Sequence, residues 1–267
     1  MKKICFVATI PDVVHSFLSG YVHAAAEKWK IRIITNPDHA QLLCDMDAEL
    51  MPLAIERKVS PWRDLLTLMQ LVALFRRERF DLVHSIMPKT GLLAMLAARL
   101  TGVPVRIHTF TGQVWATKRG WKRSALKMFD RLTVLFATHI LVDSPSQRDF
   151  LRAEGVLAQG KGIVIGQGSI CGVDAERFHP DSKTREVVRR ELNIGSDQVV
   201  VLFLGRLNRD KGMLDLAAAF DAIARHHPDS VLLLVGAEED VPFSRIQEIC
   251  AAERGRLNYV SFTSTPE

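Results

Sequence analysis

Tyrosine and cysteine are scarce in this 267-residue chain, and each scarcity excludes a kind of chemistry. Neither of the two tyrosines, Tyr21 and Tyr259, is followed four residues on by lysine, so the Tyr-x-x-x-Lys pair of a short-chain reductase is missing. The four cysteines, Cys5, Cys44, Cys171 and Cys250, form no C-x-x-C pair, which excludes a zinc ribbon and a disulfide framework and makes a reducing compartment the default. Long apolar runs are missing too, so no segment reads as a membrane span. The opening MKKICFVATIP has two lysines and a short apolar run without a cleavage-site pattern, and it reads as a first strand rather than a signal peptide. A cytoplasmic location is the expectation, with peripheral attachment to the inner face of the membrane left open.

Acidic residues fall short of basic ones, giving a formal charge of +5, and the shortfall is uneven. Residues 1–180 hold 24 Lys and Arg against 16 Asp and Glu, or +8, whereas residues 181–267 hold 11 against 14, or −3. A basic part followed by a mildly acidic one suggests two units with different partners.

Both parts alternate between strand and helix patterns. In the first, short apolar runs at Lys3–Thr9, Ile31–Thr35, Glu49–Leu53, Asp81–Ser85, Val103–Thr109, Thr138–Asp143 and Gly162–Ile165 read as strands. Helical periodicity falls near Val13–Lys28, Pro61–Arg77, Lys89–Leu100, Trp121–Ala137 and Pro145–Arg152. Strands separated by helices of this length predict an α/β fold with a doubly wound parallel sheet. Residues 182–267 continue the pattern, with a helix near Thr184–Leu192, strands at Val199–Leu204, Val231–Val235 and Leu257–Phe262, and a helix near Ser244–Arg254. Three strands are few for an independent Rossmann-like domain.

The most informative stretch is VVVLFLGRLNRDKGMLDL, Val199 to Leu216. A buried parallel strand breaks at Gly205, and a helical pattern begins at Lys211 and Gly212. Between them Arg206 and Lys211 are expected at the carboxyl edge of a sheet, where open α/β folds bind ligands. A planar guanidinium and a compact ammonium beside a helix start suit a diphosphate. The plainer alternative is a pair of solvated surface cations.

Gly166 to Pro180, GQGSICGVDAERFHP, has the glycines and broken periodicity of a crossover between domains. Its glycines also imitate a nicotinamide fingerprint, but that fingerprint opens a helix early in a fold. Here Asp174, Phe178 and Pro180 follow, deep in the chain.

Strand, Gly-Arg-x-x-x-x-Lys-Gly and amphipathic helix, preceded by Gly172-Val173-Asp174 and Phe178-His179-Pro180, together resemble the GT-B retaining glycosyltransferases of family 4, or group 1. That family includes enzymes of bacterial polysaccharides and lipid-linked oligosaccharides. The resemblance implies two Rossmann-like domains, an acceptor-side domain at 1–165, a hinge at 166–181 and an incomplete nucleotide-sugar domain at 182–267. It implies a hexosyl or N-acetylhexosaminyl transfer from a nucleoside diphosphate sugar, most plausibly a UDP-sugar, to a hydroxyl on a polyprenyl-diphosphate-linked glycan, with retention of configuration. Gly205, Arg206 and Lys211 would hold the donor diphosphate with neither metal nor cofactor. His108, at the end of a strand, would contact donor sugar or acceptor. His15, after the first strand, is a second candidate, although Pro11-Asp12-Val13-Val14 replaces the glycine pair common in that loop. His84 reads as structural.

Residues 113–137 join Trp115 and Trp121 to Lys118, Arg119, Lys122 and Arg123, against the single acid Asp130. Basic residues interleaved with aromatics suit an anionic membrane surface, or else a helix packed on the sheet with a solvated basic face. No nucleic-acid motif accompanies the charge. The chain has no counterpart of the family's loop-helix motif with two glutamates that binds ribose and sugar. It is therefore expected to be either a fragment of an active enzyme or a natural truncation, inactive and serving as a membrane- or partner-binding module.

Overall fold

The structure is a computed structural model that describes residues 1–38, 40–56, 60–261 and 263. Its contacts divide into two compact units, Met1–Gly172 and Val173–Glu267.

The first unit runs β1 (Lys3–Val7), α1 (Pro11–Ala26), β2 (Lys30–Thr35), β3 (Glu49–Pro52), α2 (Pro61–Glu78), β4 (Leu82–Ile86), α3 (Pro88–Leu100), β5 (Val105–Phe110), α4 (Gly120–Phe136), β6 (His139–Val142), α5 (Pro145–Ala153) and β7 (Ile163–Val164). All seven strands are parallel, in the order β3-β2-β1-β4-β5-β6-β7. Alternation along β1 explains the layering. Ile4, Phe6 and Ala8 pack with the stripe Val14, Leu18 and Val22 of α1, while Cys5 and Val7 pack on the opposite face with Leu71 and Phe75 of α2 and Ala94 of α3. Helices α1, α2, α3 and α5 each begin with proline in the first turn, where the missing N–H costs nothing. The small-residue face of α3 allows Gly91, Ala94, Ala97 and Ala98 to be fully buried.

The second unit contains α6 (Ser182–Glu191), β8 (Val199–Leu204), α7 (Met213–His226), β9 (Ser230–Val235), α8 (Phe243–Ile249) and β10 (Leu257–Val260). Its described strands form a parallel sheet in the order β10-β9-β8. Met213, Ala217, Phe220 and Ala224 of α7 close the core over Leu232 and Leu234.

Boundaries differ from the sequence pattern where local geometry intervenes. The expected strand at 103–109 becomes Val105–Phe110, because Val103 closes the preceding helix by donating to the Ala98 carbonyl. The last strand is described to Val260, and Phe262 lies outside the described residues. The helix expected to run to Arg254 ends at Ile249 and continues as a 3-10 segment, Ala251–Arg256. The glycine-rich crossover opens no helix, since the next one is α6. Instead Gly168 packs so tightly on β6 that an added Cβ would lie 2.5 Å from the Asp143 carbonyl oxygen.

Candidate functional site

In the second unit, β8 and β9 both end in glycine, at Gly205 and Gly236. A Cβ on Gly236 would lie 2.1 Å from the Gly205 carbonyl oxygen, so the two strand ends touch through bare backbone. Their loops then zip together. Leu207 N–H donates to the Ala237 carbonyl at 2.9 Å, and the Leu207 carbonyl accepts from Glu239 and Val241, each at 3.2 Å. This backbone ladder presents Arg206, Asn208 and Glu239 side by side. The Arg206 Nη1 sits 2.5 Å from Glu239 Oε1, and Asn208 Nδ2 donates to Glu239 Oε2 at 2.5 Å. Beside them Arg209 N–H donates to Asp240 Oδ1 at 3.1 Å.

The turn into α7 departs from expectation. Asn208 Oδ1 accepts the Lys211 N–H at 2.9 Å and caps a short 3-10 turn, Arg209–Lys211, before Gly212 adopts a left-handed conformation with φ 74°. The α-helix therefore starts at Met213, and Lys211 stands before it rather than in its first turn. Arg206 and Lys211 are both exposed. The Lys211 ammonium has no hydrogen-bond or ion-pair partner among the described residues. No side chain caps α7, which begins two residues after Lys211.

The two loops carry three cations, Arg206, Arg209 and Lys211, against four carboxylates, Asp210, Glu238, Glu239 and Asp240, and Asp215 adds a fifth in the first turn of α7. An anion at Arg206 must therefore compete with Glu239. Sequence reading missed both Glu239 and Asn208. A second strand ending in glycine and followed by GAEED was the available signal, since parallel neighbours end at one edge.

The histidines separate by burial. His108 is 1% exposed. Its Nδ1 lies 2.9 Å from Ser85 Oγ, its ring stands edge-on to Phe110, and a Cβ on Gly91 would come within 2.4 Å of it. Burial lowers its pKa to about 3, so the ring is neutral. The ring lies beneath α3, where the narrow Gly91 lets the helix settle onto it, and its Nε2 is buried without a hydrogen-bond partner among the described residues. His84, whose Nε2 is 2.8 Å from Thr109 Oγ1, is likewise held neutral by burial, at about 4. His15 is exposed near the start of α1.

The basic stretch also divides. Lys118, Arg119, Trp121 and Lys122 are exposed, Trp121 by 77%. Trp115 is not: it is 1% exposed, stacked on Phe150, and donates Nε1–H to Asp130 Oδ2 at 2.7 Å. Its expected place on a membrane face is corrected, since an indole with a buried carboxylate partner belongs to the core. Arg123 is drawn to Glu154 at 2.8 Å, which Lys127 also reaches at 2.6 Å, and both cations lie over the Trp115 ring. Desolvation raises the Asp130 pKa to about 6, against the opposing hydrogen bond from Trp115. No helix among the described residues is long and apolar enough to cross a membrane.

A seven-stranded parallel sheet with β1 and β4 at its centre, followed by a second parallel α/β unit, is the fold of the Rossmann-like GT-B class. Residues 13–168 match the Glycosyl transferase 4-like domain, and the chain belongs to that family. It is 31% identical over 193 residues to the capsular polysaccharide biosynthesis glycosyltransferase CapM of Staphylococcus aureus, covering 72% of this chain and 50% of that protein. It is 30% identical over 186 residues to the UDP-Gal:alpha-D-GlcNAc-diphosphoundecaprenol alpha-1,3-galactosyltransferase of Escherichia coli, covering 68% and 47%. The chain thus spans about half the length of these curated relatives. The Anabaena protein HepE, solved in complex with UDP and glucose, superposes with a TM-score of 0.74 at 16% identity, over 99% of this chain and 70% of that one, and shows the shared fold.

Proposed function

We propose that the protein formed by this chain transfers a hexose or N-acetylhexosamine from a nucleoside diphosphate sugar, most simply a UDP-sugar, to a hydroxyl of a polysaccharide or lipid-linked glycan, with retention of configuration. The observation that carries this reading is the glycine-ended pair of strands holding Arg206 beside the capped turn of Lys211, in a member of a glycosyltransferase family. The names of the Staphylococcus aureus and Escherichia coli relatives support the acceptor class.

As the glycosidic bond breaks, negative charge grows on the departing diphosphate while the sugar becomes oxocarbenium-like. The Arg206 guanidinium can grip two phosphate oxygens as a fork, and the Lys211 ammonium adds a point charge beside the first N–H groups of α7. Groups fixed where charge develops lower the barrier, each by about 3–4 kcal/mol in well-formed sites. His108 and His15 are the candidate histidines for contact with sugar or acceptor, the first buried and the second exposed.

Calorimetric titration with UDP tests the site directly. Arg206→Ala and Lys211→Ala should each weaken binding about 10- to 100-fold, the worth of a charge-assisted hydrogen bond of roughly 1.5–3 kcal/mol. Wild-type affinity in both variants would remove these residues from the mechanism.

A further inference from the structure

In an open parallel sheet, ligands gather outside the carboxyl ends of the strands where the order reverses. In the first unit that reversal lies between β1, which is followed outward by β2 and β3, and β4, which is followed by β5 on the other side. A cavity of about 540 Å³ opens at this point, between the first turns of α2 and α3 and the flank of α4, and Thr9 after β1 and Met87 after β4 both line it. Its volume is within the roughly 300–1,000 Å³ usual for small-ligand sites.

The walls are largely hydrocarbon. Leu92 and Leu93 of α3, Leu126 and Phe129 of α4, and Val114 before it face the space. Hydroxyl-rich sugars entering such walls would forfeit their hydrogen bonds with water, whereas a hydrocarbon chain gains by leaving it. The same elements carry apolar side chains out to the surface: Trp62, Leu65, Leu66 and Met69 of α2 are 44–70% exposed, and Val114 is 56% exposed. A single cation stands among the described lining residues. Lys89 Nζ is 2.5 Å from Asp64 Oδ1, with both side chains less than a fifth exposed. Asp64 is held in place by accepting the Ser60 N–H at 3.1 Å, so the pair is a fixed element of the wall. Met87 adds strain, since a non-glycine residue at φ 77°, ψ 149° costs on the order of 1–3 kcal/mol and such residues cluster at binding sites.

We propose that this cavity receives the isoprenoid chain of a prenyl diphosphate acceptor, with Lys89 directed to the diphosphate head in competition with Asp64. This rests on the lipid-linked acceptor named under the proposed function, and it assigns to α2, α3 and α4 the part of the acceptor that is not sugar. Hydrocarbon walls and one ammonium suit an amphiphile with an anionic end, although the lining also holds two carboxylates, Asp64 on Lys89 and the buried Asp130 on Trp115. The exposed Lys118, Arg119 and Lys122 at the start of α4 add charge of the same sign as Lys89.

Titrations of the chain with farnesyl diphosphate, inorganic pyrophosphate, dodecyl phosphate and, separately, UDP would decide it. Farnesyl diphosphate is expected to bind at least tenfold more tightly than pyrophosphate or dodecyl phosphate. Leu92→Trp, which fills the cavity, should lose at least tenfold of that affinity while UDP binding stays unchanged. Leu92→Ala, which cannot block the space, should lose less than Leu92→Trp. A photoreactive farnesyl diphosphate should label peptides of α3 or α4. Equal affinity for pyrophosphate or dodecyl phosphate, undiminished farnesyl binding in Leu92→Trp, or labelling confined to other elements would each overturn the assignment. If these fail while UDP binds, the lipid pocket falls and the nucleotide site stands. If farnesyl diphosphate binds as expected and UDP does not, the pocket stands and the nucleotide site falls.

Discussion

Glu239 accepts from both Arg206 and Asn208, so a diphosphate arriving at Arg206 meets a carboxylate already in the position a phosphate oxygen would take. The pair is about half exposed, which places its worth near the 0–1 kcal/mol of surface ion pairs, small enough for a doubly charged ligand to displace. Removing the competing charge while keeping the shape should help the ligand. Glu239→Gln is therefore expected to tighten UDP binding about two- to fivefold by calorimetry, and weaker binding would mean that Glu239 orients Arg206 for the ligand instead. Arg206 and Lys211 could be picked out from sequence because strand, glycine and cation follow one another within a dozen residues. Glu239 could not, because it arrives from the next strand, 33 residues later, and only the parallel pairing of β8 with β9 brings it to Arg206.

At the scale of elements, two contacts decide how α3 and α4 are used. Helix α3 lies on the sheet through Gly91, and the His108 ring beneath it is pinned by Ser85 and Phe110. Gly91→Ala should therefore lower the unfolding free energy of the first unit by about 1–3 kcal/mol, the usual cost of an overpacked core, measured in urea. A neutral effect would show that the ring has room to move. Helix α4 fully buries Asp130, Thr133 and Val134 and leaves Trp121, Lys122, Met128 and Leu135 exposed. Vesicles containing anionic lipid should bind the chain with an affinity that falls as salt is raised, and Trp121→Ala with Lys118→Ala and Lys122→Ala should abolish most of it. Equal flotation with neutral and anionic vesicles would assign these residues to a solvated face. The helix itself was readable from its period. Which tryptophan faces out was not, because Trp115 precedes α4 and only the folded loop turns its indole onto Asp130.

For the whole molecule, buried titratable groups give the first unit a definite response to acid. His84 and His108 have folded pKa values below that of a free histidine, so below about pH 6.5 the unfolded chain takes up two protons that the fold refuses until pH approaches 4 and 3. Their contribution to stability is present at neutral pH and lost on acidification. Asp130 works in the opposite sense: its folded pKa is raised, so its contribution is present below about pH 4 and lost as pH rises through about 6. Between pH 6 and 4 one proton's worth of slope remains, and stability should fall by about 1.4 kcal/mol per pH unit from these three groups. Asp130→Asn removes the opposing group and should roughly double that slope in urea unfolding followed by Trp115 fluorescence. An unchanged slope would mean that Asp130 is ionised throughout.

Local sequence was enough for the parallel α/β class, the helices and the glycine-bounded cations of the second unit, because periodicity, proline starts and strand-ending glycines act over a few residues. It also bore the family resemblance, since Gly172-Val173-Asp174, Phe178-His179-Pro180 and the Gly205-Arg206 to Lys211 stretch are each short and contiguous in the chain. The strand order, the burial of His108 and Trp115, the Glu239 clamp on Arg206 and the apolar cavity between α2, α3 and α4 were decided by tertiary structure alone. Each depends on which segments distant in the chain become neighbours, and that choice is made by packing helices against both faces of a sheet whose order no short stretch of sequence encodes.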